Sequence, residues 1–208
     1  MIKLPLSGVV LFGDSVLFGT GASQRKFGCG RVLRDLLPVP VAIKAKNNET
    51  TKDGLLRLKK DVLEEKDISH VIILFGNNDS RLIDFDVPLV DLGKYRENLK
   101  KMIMEIKLHQ KIPIISNLQP INSEIFCKTL PEMAKLMVKI TPYEGQMAYS
   151  NICNELAAAE SILLADIRTP LGKNMEKVIA ADGLHPNDIG HKIIAKVFHS
   201  ALNPFIKI

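Results

Sequence analysis

Tryptophan is absent from this chain of 208 residues, and cysteine and tyrosine occur only three times each. The cysteines are Cys29, Cys127 and Cys153. They form no C-x-x-C pair, and their odd number argues against a disulfide framework or a zinc site. We therefore expect three reduced thiols in a reducing compartment, which favours the cytoplasm.

Long hydrophobic runs are lacking too, because no stretch reaches the roughly 18 apolar residues that a membrane-spanning helix needs. The apolar run near the start is interrupted by Gly13, Asp14 and Ser15, and no small-residue cleavage site follows it. A buried strand fits this run better than a signal peptide does. We expect no membrane span and a cytoplasmic location.

The chain also has no large excess of charge, since 28 basic residues against 23 acidic ones give a net charge of +5. The lysines are dispersed, whereas a nucleic-acid footprint needs basic residues clustered on one face, so no nucleic-acid partner is expected. With 46% hydrophobic and 25% charged residues, the composition is that of a globular protein. The length fits one domain over residues 1–208.

What the sequence does contain is a series of five short apolar runs rich in valine, isoleucine and leucine. They cover residues 8–12, 39–43, 71–75, 112–116 and 162–167. Because they do not alternate with polar residues, they are typical of parallel strands covered on both faces. Helical patterns separate the runs, so the sequence predicts an α/β sandwich with a mostly parallel sheet.

Four main helices are predicted around these strands. The first follows a capped start at Thr50-Thr51, the third covers residues 143–160, and the last is capped by Asn187 or Asp188. The stretch 119–142 is long and irregular, and it either covers a site or carries a short extra helix. The expected buried positions are Leu55, Leu58 and Val62 in the first helix, Tyr95, Leu99, Met102, Ile103 and Ile106 in the second, and Ile189, Ile193, Ile194 and Val197 in the last.

Polar clusters follow four of the five strands, at the carboxyl ends where parallel sheets place their sites. They are Gly13-Asp14-Ser15, Asn47-Asn48-Glu49-Thr50, Gly76-Asn77-Asn78-Asp79 and, beyond a loop, Asp182-Gly183-Leu184-His185-Pro186-Asn187. Ser15 lies between a strand and a predicted helix, whose first N–H groups favour a negative oxygen beside the serine. Taken alone, a serine at this place is more often a helix N-cap.

Asp182 and His185 supply a candidate base and its partner. Their spacing lets the carboxylate contact the imidazole within one turn and fix its tautomer, so that the other ring nitrogen can accept the serine proton. Asn78 carries an amide donor of the kind that stabilises an oxyanion, although it also fits an ordinary turn. Asp79 is expected to bind neighbouring backbone rather than to take part in chemistry.

Together, these segments resemble the SGNH, or GDSL, hydrolase family. The first, third and fourth clusters match its nucleophile, asparagine and acid–base blocks, in order and over nearly the whole chain. The resemblance implies a three-layer α/β/α sandwich with a flavodoxin-like five-stranded parallel sheet. It also implies ester or thioester hydrolysis through an acyl-serine, with no metal or organic cofactor. It assigns Ser15, Asp182 and His185 to catalysis, supported by Asp14 and Asp79.

One block departs from the family pattern, which has a glycine after the second strand whose backbone N–H is an oxyanion donor. Asn48 takes that position here. Asparagine tolerates a positive φ better than most residues do. The expected oxyanion hole therefore consists of Ser15, Asn48 and Asn78, and the departure leaves the choice of substrate open.

The identity of the substrate is less well defined by the sequence. Family breadth suggests a short acyl group such as acetyl on a small-molecule ester. Phe18, Phe85 and Phe126 either line a pocket or belong to the core, and Arg81 either meets an anionic part of the substrate or is a surface arginine.

Four other functions compete with ester hydrolysis. An inactive binding module of the same fold and acyl transfer to an alcohol stay open as alternatives. A phosphate- or dinucleotide-binding protein is disfavoured, because the loop after the first strand lacks the glycine patterns of such proteins. A metallohydrolase is disfavoured, because the histidines lack the H-E-x-x-H spacing.

Overall fold

A five-stranded parallel sheet forms the centre of the computed structural model, which describes residues 4–206. The strands are β1 (Val9–Gly13), β2 (Val41–Ala45), β3 (His70–Leu74), β4 (Leu82–Asp84), β5 (Val87–Pro88), β6 (Ile112–Ser116) and β7 (Leu163–Ala165). The sheet has the order β2-β1-β3-β6-β7, and β4 pairs with β5 in a separate antiparallel hairpin. With β6 and β7 as its fourth and fifth strands, this is the flavodoxin-like order 2-1-3-4-5.

Helices cover both faces of the sheet. They are α1 (Ser15–Phe18), α2 (Cys29–Leu36), α3 (Thr51–Leu58), α4 (Leu92–Leu108), α5 (Ser123–Thr129), α6 (Pro131–Ala134), α7 (Pro142–Ala159), α8 (Arg168–Gly172), α9 (Met175–Val178) and α10 (Asp188–Leu202). α2 packs against α10, and α4 packs between α3 and α7. The predicted α/β/α sandwich is confirmed. No helix within residues 4–206 combines the length and apolar character needed to cross a membrane.

The strands occur where the apolar runs predict them, and β6 matches its run at both ends. The last strand is shorter than residues 162–167, because the groups at its two ends make other hydrogen bonds. The Ile162 N–H donates to the carbonyl of Ala157 in the last turn of α7, and the Ile167 N–H donates to the side chain of Asn117. Of the four residues between them, only the first three pair with β6.

Two of the predicted helix features agree closely with the structure. The apolar face of α4 is completely buried at Tyr95, Leu99, Met102, Ile103 and Ile106. α3 begins with a reciprocal capping box between Thr50 and Asp53. The 119–142 stretch contains the two short helices α5 and α6, and it also borders a cavity described below.

The predicted buried face of the last helix is partly wrong. Ile194 is buried, but Ile189 is 57% exposed. Gly190 faces inward instead, and a Cβ atom there would lie 2.3 Å from the carbonyl oxygen of Val178. The apolar pattern pointed only to large residues, whereas the first turn of α10 approaches its neighbour through a glycine. Its buried residues are Gly190, His191, Ile194, Ala195, Phe198 and Leu202.

Strand register brings the polar clusters to one level. Gly13 at the end of β1 pairs with Ala45 of β2 and Leu74 of β3. A Cβ atom on Gly13 would lie only 2.1 Å from the Leu74 carbonyl oxygen, so the close approach of these two strands requires glycine. The residues that follow the three strands therefore meet at one rim of the sheet.

Candidate active site

The turn after β1 places Ser15 at the rim. Asp14 is the N-cap of α1, because its carboxylate accepts a hydrogen bond from the Val16 N–H at 3.0 Å. Ser15 is consequently the first residue of α1 and not its cap, which leaves its hydroxyl group available for other contacts.

The acid–base loop, residues 182–186, brings a histidine to this serine. His185 Nε2 lies 3.0 Å from Ser15 Oγ, and His185 Nδ1 lies 2.6 Å from Asp182 Oδ2. The second Asp182 oxygen accepts hydrogen bonds from the Leu184 and His185 backbone N–H groups, each at 2.9 Å. The carboxylate therefore orients the imidazole ring and also shapes the loop that carries it.

Electrostatics keep Asp182 ionised. Partial burial alone would raise its pKa, but the hydrogen bonds from His185 and Leu184 outweigh burial and lower the pKa to about 2. With Asp182 charged, His185 Nδ1 is the donor in their hydrogen bond, and Nε2 faces Ser15. This is the arrangement in which a histidine can accept a serine proton.

Asp14 lies in the opposite environment, although it is next to Ser15. It is fully buried, and burial raises its pKa to about 6 despite the hydrogen bonds from Val16 and Asn77. The Asn77 amide nitrogen lies 3.2 Å from Asp14 Oδ2. Asp14 therefore holds the turn in place and makes no hydrogen bond to Ser15 Oγ or to His185.

The turn after β2 carries Asn48 in the left-handed conformation, with φ of 63°. Asn78, after β3, donates its amide to the carbonyl of Glu49 at 2.9 Å, which joins the two strand ends. Among the described residues, this is the only hydrogen bond of that amide nitrogen, so its second N–H is free to meet a ligand. Asn48 and Asn78 therefore lie on two connected strand ends, on either side of β1, whose end leads to Ser15.

Asp79 binds backbone, but not the neighbouring backbone that the sequence suggests. Its carboxylate accepts the Thr51 N–H at 3.0 Å and the Thr51 hydroxyl at 2.5 Å, 28 residues away in the chain. Burial raises the pKa of Asp79 to about 6. Asp79 therefore connects the end of β3 to the first turn of α3. The strand-end position of Asp79 gave no indication of this partner.

Sequence reasoning also missed a partly buried cluster of polar side chains, here called the amide cluster, formed by Asn77, Gln119, Gln146 and Arg168. The Asn77 side-chain oxygen accepts from Gln119 Nε2 at 3.0 Å and from Gln146 Nε2 at 2.8 Å. Arg168 Nη1 donates to Gln146 Oε1 at 2.7 Å. The position of Gln119 just after a strand end could have identified it as a site residue. Gln146 and Arg168 lie in helices, and nothing in the sequence around them indicates a place in the site.

The amide cluster connects the two halves of the site. Asn77 donates to Asp14 beside the serine, and Gln119 Nε2 donates to the Leu184 carbonyl beside the histidine at 3.1 Å. Gln119 is fully buried. The separation of Ser15 and His185 is thus set by side chains from several elements of the fold.

A small cavity of about 50 Å³ opens beside Asn78. Its wall is mainly apolar and includes Phe126, Met133, Met137 and Leu184, with Arg81 at one side. Of the three phenylalanines proposed for a pocket, only Phe126 lines this cavity. Phe85 is 63% exposed on the β4–β5 hairpin, so it belongs neither to this cavity nor to the core. Phe18 packs on the core beneath Arg25.

A glycine makes the contact between the loop after α1 and the acid–base loop. Gly21 has a φ of 94°, and a Cβ atom there would lie 2.7 Å from His185 Cβ and 2.3 Å from the Pro186 oxygen. Ser23 donates to the Asp188 carboxylate through its N–H at 2.7 Å, which ties the same loop to the start of α10. The loop after α1 is therefore fixed against both the acid–base loop and the start of α10.

Comparisons with known proteins agree with this fold. A structure of the lipase/acylhydrolase from Enterococcus faecalis superposes with a TM-score of 0.78 and 25% identity, covering 97% of this chain and 98% of that one. A catalytic mutant of an acetylxylan esterase from Geobacillus stearothermophilus shares the fold, with a TM-score of 0.72, 18% identity and full coverage of both chains. An uncharacterized lipoprotein of Bacillus subtilis (strain 168) is 26% identical over 186 residues, which are 84% of this chain and 73% of that protein.

The model of the GDSL-like lipase/acylhydrolase family matches residues 11–193. That range includes the serine, the asparagine and the acid–base blocks, together with all five strands of the sheet except the first two residues of β1. The chain therefore belongs to the GDSL-like lipase/acylhydrolase family of hydrolytic enzymes.

Proposed function

We propose that this enzyme hydrolyses a carboxylic ester or thioester of a small acylated molecule through an acyl-serine intermediate. The observation that carries the proposal is the hydrogen-bonded series of Asp182, His185 and Ser15, with separations of 2.6 Å and 3.0 Å. Nucleophilic catalysis by serine needs a base within hydrogen-bond reach and a third group that orients the base.

In the first half of the reaction, Ser15 Oγ attacks the acyl carbonyl carbon while its proton passes to His185 Nε2. The carbonyl oxygen becomes an oxyanion, which accepts hydrogen bonds from the Ser15 and Asn48 N–H groups and from the Asn78 amide. The carbon–oxygen or carbon–sulfur bond to the leaving group then breaks, and His185 protonates the departing alcohol or thiol.

In the second half, His185 removes a proton from water, which attacks the acyl-serine carbonyl. The bond to Ser15 Oγ breaks, and the proton on His185 returns to the serine as the carboxylic acid leaves. Asp182 stays ionised throughout and stabilises the imidazolium that forms twice in each cycle. No group beyond these residues and water is required.

The acyl group is proposed to be short, with acetyl as the leading case. The cavity beside Asn78 is small, with a volume of about 50 Å³. Such a space suits a methyl or ethyl group better than a long chain. Acetylxylan esterases among the proteins of the same fold are consistent with this size.

The test is a series of p-nitrophenyl esters from acetate to octanoate, with wild-type enzyme, Ser15→Ala and the matched surface variant Ser200→Ala. We expect the highest kcat/KM for the shortest esters, full activity in Ser200→Ala and none in Ser15→Ala. A serine-directed phosphonate should label the wild type but not Ser15→Ala. Undiminished hydrolysis by Ser15→Ala would contradict the acyl-serine mechanism. Adding a primary alcohol and analysing the products separates hydrolysis from acyl transfer.

A further inference from the structure

Arg57, in the last turn of α3, is a buried cation that the proposed chemistry does not use. Only 9% of the residue is exposed. Its guanidinium donates to the backbone at the ends of two strands, through Nη2 to the Gly13 carbonyl at 3.1 Å and through Nη1 to the Lys44 carbonyl at 2.9 Å. Gly13 lies two residues before Ser15, and Lys44 is in the strand that leads to Asn48.

Two further donors of the same side chain bind carboxylates. Arg57 Nε lies 2.5 Å from Glu49 Oε2, and Nη1 lies 2.9 Å from Asp61 Oδ2. Glu49 directly follows Asn48, and its carbonyl oxygen accepts the amide of Asn78. Arg57 therefore touches the supports of Ser15 and Asn48 directly, and it reaches Asn78 through Glu49.

Aromatic rings fix the plane of this guanidinium. Its central carbon lies 4.5 Å from the centre of the Phe12 ring and 5.8 Å from that of Phe75, and both rings are buried. The two rings contact each other edge to face, and the guanidinium lies against this pair. A planar cation packed on these rings, with all its nitrogen atoms bonded, has one orientation. Lysine keeps the charge but offers neither the fork of donors nor the flat face.

The turn at Asn48 needs such a support. A residue other than glycine disfavours the left-handed conformation, and Asn48 adopts it with φ of 63°. The turn is exposed at its tip, so packing does not impose this conformation. Bonds at both ends, from Arg57 to Lys44 and from Arg57 to Glu49, hold the turn in place.

We infer that Arg57 is a positioning residue that assembles the oxyanion hole, setting the N–H groups of Ser15 and Asn48 and the amide of Asn78 at a common distance from the reacting oxygen. This inference rests on the proposed function, because an oxyanion forms only if an acyl carbonyl is attacked. It assigns to one side chain the alignment of donors from three strand ends.

Arg57→Lys tests the inference, with Arg96→Lys as the matched control on the exposed Arg96–Glu155 pair. We expect Arg57→Lys to lower kcat for p-nitrophenyl acetate by roughly 10- to 100-fold, since a small misplacement of catalytic groups has effects of this size. KM should change less than about threefold, because oxyanion hydrogen bonds strengthen in the transition state. Arg96→Lys should match the wild type.

A double-mutant cycle with Asn78→Ala separates alignment of the oxyanion hole from a general structural effect. If Arg57 acts through the oxyanion hole, Arg57→Lys should lower kcat much less in the Asn78→Ala background than in the wild type. Equal factors in both backgrounds would overturn the inference. Thermal unfolding of each variant monitors the fold.

Glu49→Gln is the second variant, and it decides the question if Arg57→Lys does not fold. It retains the Glu49 carbonyl but weakens the charged contact to Arg57, so kcat should fall several-fold at constant KM. A wild-type kcat in this variant, or in a folded Arg57→Lys, would overturn the role of Arg57. If Ser15→Ala is inactive in the same assay, the proposed function would still stand. If the wild type hydrolyses no ester and Ser15 is not labelled, the proposed function fails and this inference fails with it.

Discussion

The nucleophile turn, residues 13–15, and the acid–base loop each hold a carboxylate close to a reacting side chain, but in opposite surroundings. Asp14 is fully buried and accepts two hydrogen bonds, and burial raises its pKa to about 6. The Asp182 side chain is 35% exposed and accepts three hydrogen bonds, which outweigh burial and lower its pKa to about 2.

This difference distinguishes the tasks of the two carboxylates. Environments that push two pKa values apart are a guide to acid–base roles in a site. Asp182 is ionised and bonded to the ring of His185, so it suits the stabilisation of an imidazolium. Asp14 bonds to the first turn of α1 and to Asn77, so it suits the support of Ser15. Proximity to the serine in sequence is therefore a poor guide to the chemistry.

The largest expected effect is on kcat, when the carboxylate of Asp182 or of Asp14 is replaced by an amide. Asp182→Asn should lower kcat by about 10³- to 10⁴-fold, because an amide no longer fixes the required tautomer of His185. Asp14→Asn should lower it only about 10-fold, through a small displacement of Ser15. Steady-state kinetics on p-nitrophenyl acetate measure both. Equal losses would remove the distinction between the two regions.

A second effect is on the pH dependence of stability, to which Asp14 and Asp182 contribute with opposite signs. The pKa of Asp14 in the folded protein is about 6, above the ordinary value of 3.8. Between these two pH values the native state therefore binds more protons than the unfolded state does. The free energy of unfolding consequently falls as pH rises through this range, by about 3 kcal/mol for this group. Asp182, with a folded pKa of about 2, stabilises the fold above pH 3.8, and this contribution is lost as pH falls toward 2. Asp79 adds to the first trend.

Urea unfolding of the wild type and the two asparagine variants across this pH range provides the measurement. Asp14→Asn should flatten the decline above pH 3.8, and Asp182→Asn should flatten the decline below it. Identical pH profiles in both variants would show that the environments of the two carboxylates do not differ as described.

A smaller effect concerns the connection between the two regions. Gln119→Met keeps the length of the side chain but removes its hydrogen bonds to Asn77 and to the Leu184 carbonyl. We expect kcat to fall about 10-fold, because His185 shifts relative to Ser15. The rate at which a phosphonate labels Ser15 should fall by the same factor as kcat. A folded variant with wild-type kcat would mean that each region is positioned independently.

The smallest effect concerns the cavity that the acid–base loop borders at Leu184. Met137→Ala removes part of the cavity wall and should raise the ratio of hexanoate to acetate hydrolysis several-fold, while Met137→Leu preserves it. Unchanged ratios in Met137→Ala would place the acyl group elsewhere, for example on the side of the nucleophile turn.

Local patterns predicted the fold and the order of the motifs, because buried parallel strands are continuous apolar runs and their ends carry polar clusters. The same patterns could not predict the amide cluster, since Gln119, Gln146 and Arg168 meet only after packing. They failed at Ile189 and Phe85, where apolar side chains are exposed. Periodicity identifies the face of a helix, but it does not reveal a close approach made by Gly190.

Gly21 marks a position where a substitution is expected to abolish activity without changing a reacting group. Any side chain at this position would push against His185 and Pro186 while Ser15, Asp182 and His185 all remained in the sequence. A related protein with valine at this position would keep every sequence motif of a hydrolase and yet is expected to lack catalytic activity. Sorting active members from inactive ones by their motifs alone would therefore misclassify such a chain, and position 21 is the residue to inspect first.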